Sequence, residues 1–170
     1  MYAGGRYVEG FMIPETVTLI EDGALECCNW LLNIRVEEKN PVYKSIDGNL
    51  YSKDGTKLIQ YSIGKRKKHF RIPDSVVSIH CDAFSFCNLE SIIIPKNVQI
   101  IESGSFEGCW RLTIYCEIES QPNNWDEDWN PDNRPVFWKC ELKNNKEIEN
   151  SPHIFSTAIL SGSAYEIEVL

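Results

Sequence analysis

Apolar positions return along this 170-residue chain at a fixed spacing. Ile13, Val17, Ile20, Ala24 and Cys28 are repeated as Ile72, Val76, Ile79, Ala83 and Cys87, then as Ile94, Val98, Ile101, Ser105 and Cys109. Each copy opens on Ile-Pro, and the offsets are 59 residues from Ile13 to Ile72 and 22 from Ile72 to Ile94. A leucine follows each cysteine (Leu31, Leu89, Leu112), and the first two copies add Ile34 and Ile92. The alternation predicts two short, half-buried strands per unit, joined by a turn or one-turn helical segment around Ala-Leu or Ala-Phe, with proline ending one strand. So small a unit cannot bury its own apolar face. Successive units must stack coil on coil, giving a mainly β solenoid in which the cysteines form a ladder of small apolar groups.

The 59-residue gap exceeds an ordinary coil of about 23 residues by about 36. Within it, Asp47-Gly48 and Asp54-Gly55 are tight-turn pairs flanked by Ile46, Leu50-Tyr51 and Leu58-Ile59, which predicts a three-stranded meander. The basic run 65–69 reads as a solvated loop crest; the sharper alternative is a heparin-like or phosphate-binding patch. After Cys109 the pattern loosens into Trp125, the acidic Asp126, Glu127 and Asp128, Trp129 and, further on, Trp138 among prolines. An open coil end exposes core and strand edges, so this stretch is expected to be a Trp-rich cap; the alternative is a glycan platform on Trp125, Trp129 and Trp138. The expected division is a lead-in at 1–10, abrupt enough to suggest truncation, a solenoid at 11–117 with the inserted hairpin unit at 42–70, a cap at 118–140, and 141–170 as a tail or the start of a following β domain.

Net charge is −8, which argues against a nucleic-acid partner, since phosphate neutralisation needs clustered Lys and Arg. No apolar run approaches the roughly 18 residues of a membrane span, and the start of the chain has no export-signal pattern. Seven cysteines, an odd number, cannot all pair with one another. His69, His80 and His153 lie outside any metal-ligand spacing, Cys27-Cys28 are adjacent, and Cys81 to Cys87 and Cys109 to Cys116 are loosely spaced, so neither metal nor cofactor is expected. His80 and Cys81 suggest a Cys-His nucleophile, but neighbours on one strand point to opposite faces, so their side chains are expected to diverge. Hydrolase elbows and phosphate loops are missing from the sequence, and the cap carboxylates have no cleft to work in. The chain is therefore expected not to be an enzyme.

The pattern I-P-x-x-V-x-x-I-x-x-x-A-F-x-x-C, seen from Ile72 to Cys87, resembles the BspA-like leucine-rich repeats of bacterial surface proteins, also abundant in some parasitic protists. The resemblance extends over about 11–138, taking in the hairpin-like 43–61 and the cap-like 114–138. It implies a leucine-rich-repeat solenoid, a cell-surface or secreted location, and adhesion or host-protein binding. The expected function is a non-catalytic binding module in which a strand face carrying Leu32, Asn33, Arg35, Glu90, Ser91 and Ile93 meets a protein partner. An inert structural spacer is the alternative.

Overall fold

Strand stretches end after two to five residues, because proline, Asp-Gly or a polar turn interrupts each alternating run. The computed structural model describes residues 10–25, 28, 31–144, 158–159 and 165–169. In chain order the strands are β1 (Gly10–Ile13), β2 (Asn33–Val36), β3 (Tyr43–Ile46), β4 (Asn49–Ser52), β5 (Lys57–Gln60), β6 (His69–Arg71), β7 (Ser78–Ile79), β8 (Ser91–Ile94), β9 (Ile100–Ile101), β10 (Thr113–Cys116), β11 (Val136–Phe137), β12 (Cys140–Asn144), β13 (Ala158–Ile159) and β14 (Tyr165–Val169).

Two parallel ladders form the walls of the solenoid. On one side β6, β8, β10 and β11 align Phe70, Ile92, Ile114 and Val136 in a row that faces the core. On the other, β5, β7 and β9 align Leu58, Ile79 and Ile101, all fully buried. The expected stacking of Ile72 and Ile94 holds: Ile72 N–H donates to Ile93 O, and Ile94 pairs with Cys116 one coil further on. Ile13 stacks instead on Val36, in the separate two-stranded sheet of β1 and β2.

Between the walls the described residues form turns and no helix. The short-helix alternative is corrected here: among the described residues the segments at 81–86 and 103–108 are turns. Their amides reach the next coil, with Phe84 N–H bonded to Ser105 O and Phe106 N–H to Trp129 O. Partners one coil away replace partners one helical turn away. The same turns stack Tyr61, Phe84, Phe106 and Trp129, with successive ring centroids 5.3, 5.2 and 5.7 Å apart. Cys87 and Cys109 occupy adjacent rungs, 3.3 Å apart at sulfur and both buried, and both are thiols. Of the expected ladder of Cys28, Cys87 and Cys109 the last two stack, while Cys28 packs against the separate N-terminal cluster.

The inserted unit is a meander of β3, β4 and β5, turned at Asp47-Gly48, where both residues have positive φ. It is part of the wall: β5 pairs in parallel with β7, and the hairpin turn accepts a bond from Ile34 N–H at Gly48 O. The insertion divides the core in two. Ile13, Leu31, Ile34, Tyr43 and Leu50 form the centre of an N-terminal cluster, while the larger cluster runs from Tyr51 to Trp129. At the far end Trp125, Trp129 and Trp138 close the large cluster, the first two with rings edge-on at 4.9 Å. Beyond them β12, β14 and β13 form an antiparallel three-stranded sheet.

Candidate functional site

Strand alternation decides which side chains leave the solenoid. On the β1–β2 sheet, Phe11, Ile13, Ile34 and Val36 contribute to the N-terminal core, so Gly10, Met12, Asn33 and Arg35 lie on the opposite face. Together with Leu32 and the Asp47-Gly48 turn they line a solvent-open concavity of about 700 Å³. Met12 is 49% exposed and pairs across the ladder with the exposed Arg35. The floor is close-packed: a methyl group built on Gly10 would sit 2.4 Å from Asn33 O, and one on Gly48, which has φ +73°, 2.5 Å from Asn33 Oδ1. Glycine at both positions keeps the backbone accessible.

The other half of the expected partner face lies elsewhere. Leu32, Asn33 and Arg35 share the concavity, but Glu90, Ser91 and Ile93 belong to β8 and its approach, beyond the inserted unit. Ser91 and Ile93 are each only 3% exposed. His69 Nδ1 contacts Ser91 Oγ at 2.9 Å. Arg71, the cross-strand neighbour of Ile93, reaches over β8 to Glu117 at 3.0 Å and also holds Asp74 at 2.7 Å. Glu90 alone of these three is exposed, and it pairs with Lys68 of the basic run at 2.6 Å. Sequence reasoning took the solenoid side as one continuous face; the hairpin turn and these ion pairs break it.

The indoles are also placed differently from a platform. Trp125 and Trp129 are 3% and 4% exposed and Trp138 is half-buried against the same cluster, so the ring faces a sugar would stack on are used in packing. This burial fits the expected cap and disfavours the alternative glycan platform at Trp125 and Trp129. Lys65 is likewise not a free crest: its ammonium bonds Asn49 Oδ1 at 2.6 Å, lies 5.3 Å from the Tyr61 ring centre, and is lowered to about 8, chiefly by burial.

His80 and Cys81, expected to diverge along one strand, instead converge. β7 ends at Ile79, so His80 and Cys81 lie outside the strand and do not alternate; Cys81 Sγ is 3.3 Å from His80 Nδ1. His80 Nδ1 is 2.6 Å from Glu102 Oε2, and His80 Nε2 is 3.0 Å from Asp22 Oδ1. Glu102 also receives Lys57 Nζ at 2.6 Å and Cys81 N–H at 3.1 Å. Burial would raise the Glu102 carboxyl; the bonds from Lys57, His80 and the Cys81 amide outweigh it and hold the group below its ordinary range. Burial, with Asp22, Asp82 and Glu102 nearby, pushes the Cys81 thiol up to about 11. A protonated thiol is a poor nucleophile, so a Cys-His catalytic pair is not what this arrangement favours.

Comparison with known proteins places these features in context. Residues 61–128 match the family model described as BspA type Leucine rich repeat region. Among solved structures the chain is similar to a leucine-rich repeat protein from Eubacterium ventriosum, with 27% identity, a TM-score of 0.53, and coverage of 67% of this chain and 38% of that one. It is also similar to a leucine rich cell surface protein from Faecalibacterium prausnitzii, with 28% identity, a TM-score of 0.58, and coverage of 70% and 31%. For the Pneumococcal vaccine antigen PcpA the values are 23% identity, a TM-score of 0.56, and coverage of 69% and 28%, a likeness of fold. The chain thus matches less than two-fifths of the length of each. No curated protein matches. Among the described residues no helix is long and apolar enough to cross a membrane.

Proposed function

We propose, from the match of residues 61–128 to the BspA type Leucine rich repeat region, that this chain is a non-catalytic binding module of a cell-surface or secreted protein, engaging a protein partner through the β1–β2 concavity. The observation that carries the reading is the concavity itself, where apolar Met12 and Leu32 lie beside the guanidinium of Arg35 and the amide of Asn33. That mixture suits an extended peptide segment with an apolar side chain and a carboxylate: burial supplies affinity, and the guanidinium fixes register. The leucine rich cell surface protein of Faecalibacterium prausnitzii supports the location, and an open, mixed-character concavity favours binding over an inert spacer.

The test is retention of cell-surface proteins by the full chain at micromolar concentration, compared with Arg35→Glu and with Glu90→Lys. Retention that is lost in Arg35→Glu and kept in Glu90→Lys is the expected result. No retention by the unaltered chain favours the spacer, and loss in Glu90→Lys alone moves the contact to β8.

A further inference from the structure

Both ring nitrogens of His80 face carboxylate oxygens, Nδ1 towards Glu102 and Nε2 towards Asp22. Nδ1 lies 2.6 Å from Glu102 Oε2 and 2.9 Å from the Cys81 amide nitrogen. Nε2 lies 3.0 Å from Oδ1 of Asp22, the more exposed of the two carboxylates. Cys81 completes the group: an imidazole nitrogen, the Cys81 sulfur and an Asp22 carboxylate oxygen all lie within 4.8 Å of one another.

We infer that Asp22, His80 and Cys81 form a binding site for a zinc-class divalent cation, with Glu102 as the carboxylate that orients the histidine. Mixed nitrogen, sulfur and oxygen donors suit Zn(II) over Mg(II) or Ca(II), which take oxygen alone. Tetrahedral bonding at about 2.0–2.3 Å separates ligand atoms by about 3.3–3.7 Å, so the cluster needs to close by roughly 1 Å. Asp22 is on an exposed turn, its side chain 72% accessible, and can supply that movement.

Two further features support the site. A carboxylate beside one ring nitrogen, as Glu102 is beside His80 Nδ1, is the arrangement that orients a metal-bound histidine. Glu102 is itself fixed by Lys57 and the Cys81 amide, so the orienting residue is preorganised. The charges facing the thiol are Asp22, Asp82 and Glu102, opposed by Lys57, and their excess of negative charge attracts a cation. Binding replaces the Cys81 thiol proton with a metal–sulfur bond, and the released proton goes to solvent. Because Asp22 lies on the first coil and His80 on a later one, an ion here ties the N-terminal unit to the main array.

The experiment is titration of the full chain with Co(II), followed by thiolate-to-metal charge-transfer absorption, and competition with Zn(II). One equivalent should give the band, and apparent affinity should rise about tenfold per pH unit near neutrality as one proton is released. Cys81→Ser should abolish the band, and Glu102→Gln should weaken binding by about 10–100-fold. Saturating Zn(II), at a hundredfold excess over Kd, should raise Tm by roughly 5–10 °C. Asp22→Asn alters an exposed side chain; should Cys81→Ser fail to fold, a loss of about tenfold in affinity by Asp22→Asn supports the site and an unchanged affinity overturns it. Absence of the band in the unaltered chain, or its persistence in folded Cys81→Ser, overturns the inference.

Discussion

Asn40 shows how much one side chain contributes where repeats cannot. It is fully buried, donates from Nδ2 to Pro14 O and Val17 O, and accepts at Oδ1 from the Val42 and Tyr43 amides. It thus ties the first coil to the entry of the meander. Asn40→Ala leaves buried carbonyls and amides unpaired and should lower unfolding stability by roughly 2–4 kcal/mol in urea denaturation; a loss under about 0.5 kcal/mol would show that water satisfies these groups equally well. The apolar repeat gave no sign of this residue, because its role comes from loop carbonyls that converge only once the chain is coiled. Cys81 is obscured for a different reason: strand alternation stops at Ile79, two residues before it. With its thiol pushed up to about 11, the thiolate fraction is on the order of 0.1% at pH 8. Alkylation of Cys81, followed site by site in mass spectra, should accelerate about tenfold per pH unit between pH 8 and 10, since the deprotonated form is the reactive one. A plateau reached by pH 9 would mean an ordinary thiol.

At the scale of elements, what was legible was whatever repeats or turns. Ile72, Ile94 and their partners appear as a register because each must stack on its counterpart, and Asp47-Gly48 and Asp54-Gly55 were recognisable because few other pairs tolerate positive φ. What the turns did between the walls was not legible, since Ala83-Phe84 fits one helical turn as well as a non-helical turn bonded to the next coil. The cap was legible as a change of composition, while the exposure of its indoles depended on packing. Trp129 lies against Phe106 with centroids 5.7 Å apart and against Trp125 at 4.9 Å, and its indole N–H donates to Gln121. Trp129→Ala should therefore cost about 3–5 kcal/mol and lower solubility through the opened coil end, as read by thermal unfolding and light scattering. A variant with unchanged stability would show that this indole does not belong to the core.

For the whole molecule, the consequential feature is the meander, which enters the wall through β5 and divides both the core and the side face. The repeat predicted one surface carrying Leu32, Asn33, Arg35, Glu90, Ser91 and Ile93; the fold places the first three around an open concavity and covers or ion-pairs most of the rest. A sequence shows how coils match one another, but an insertion between coils changes their relation in space without disturbing the matching residues. The most direct measurement is hydrogen–deuterium exchange of the chain with and without a retained surface partner. Slowed exchange concentrated at residues 10–13 and 32–36 is the predicted result, and protection confined to residues 69–71, 91–94 and 113–116 would contradict the β1–β2 concavity as the binding site.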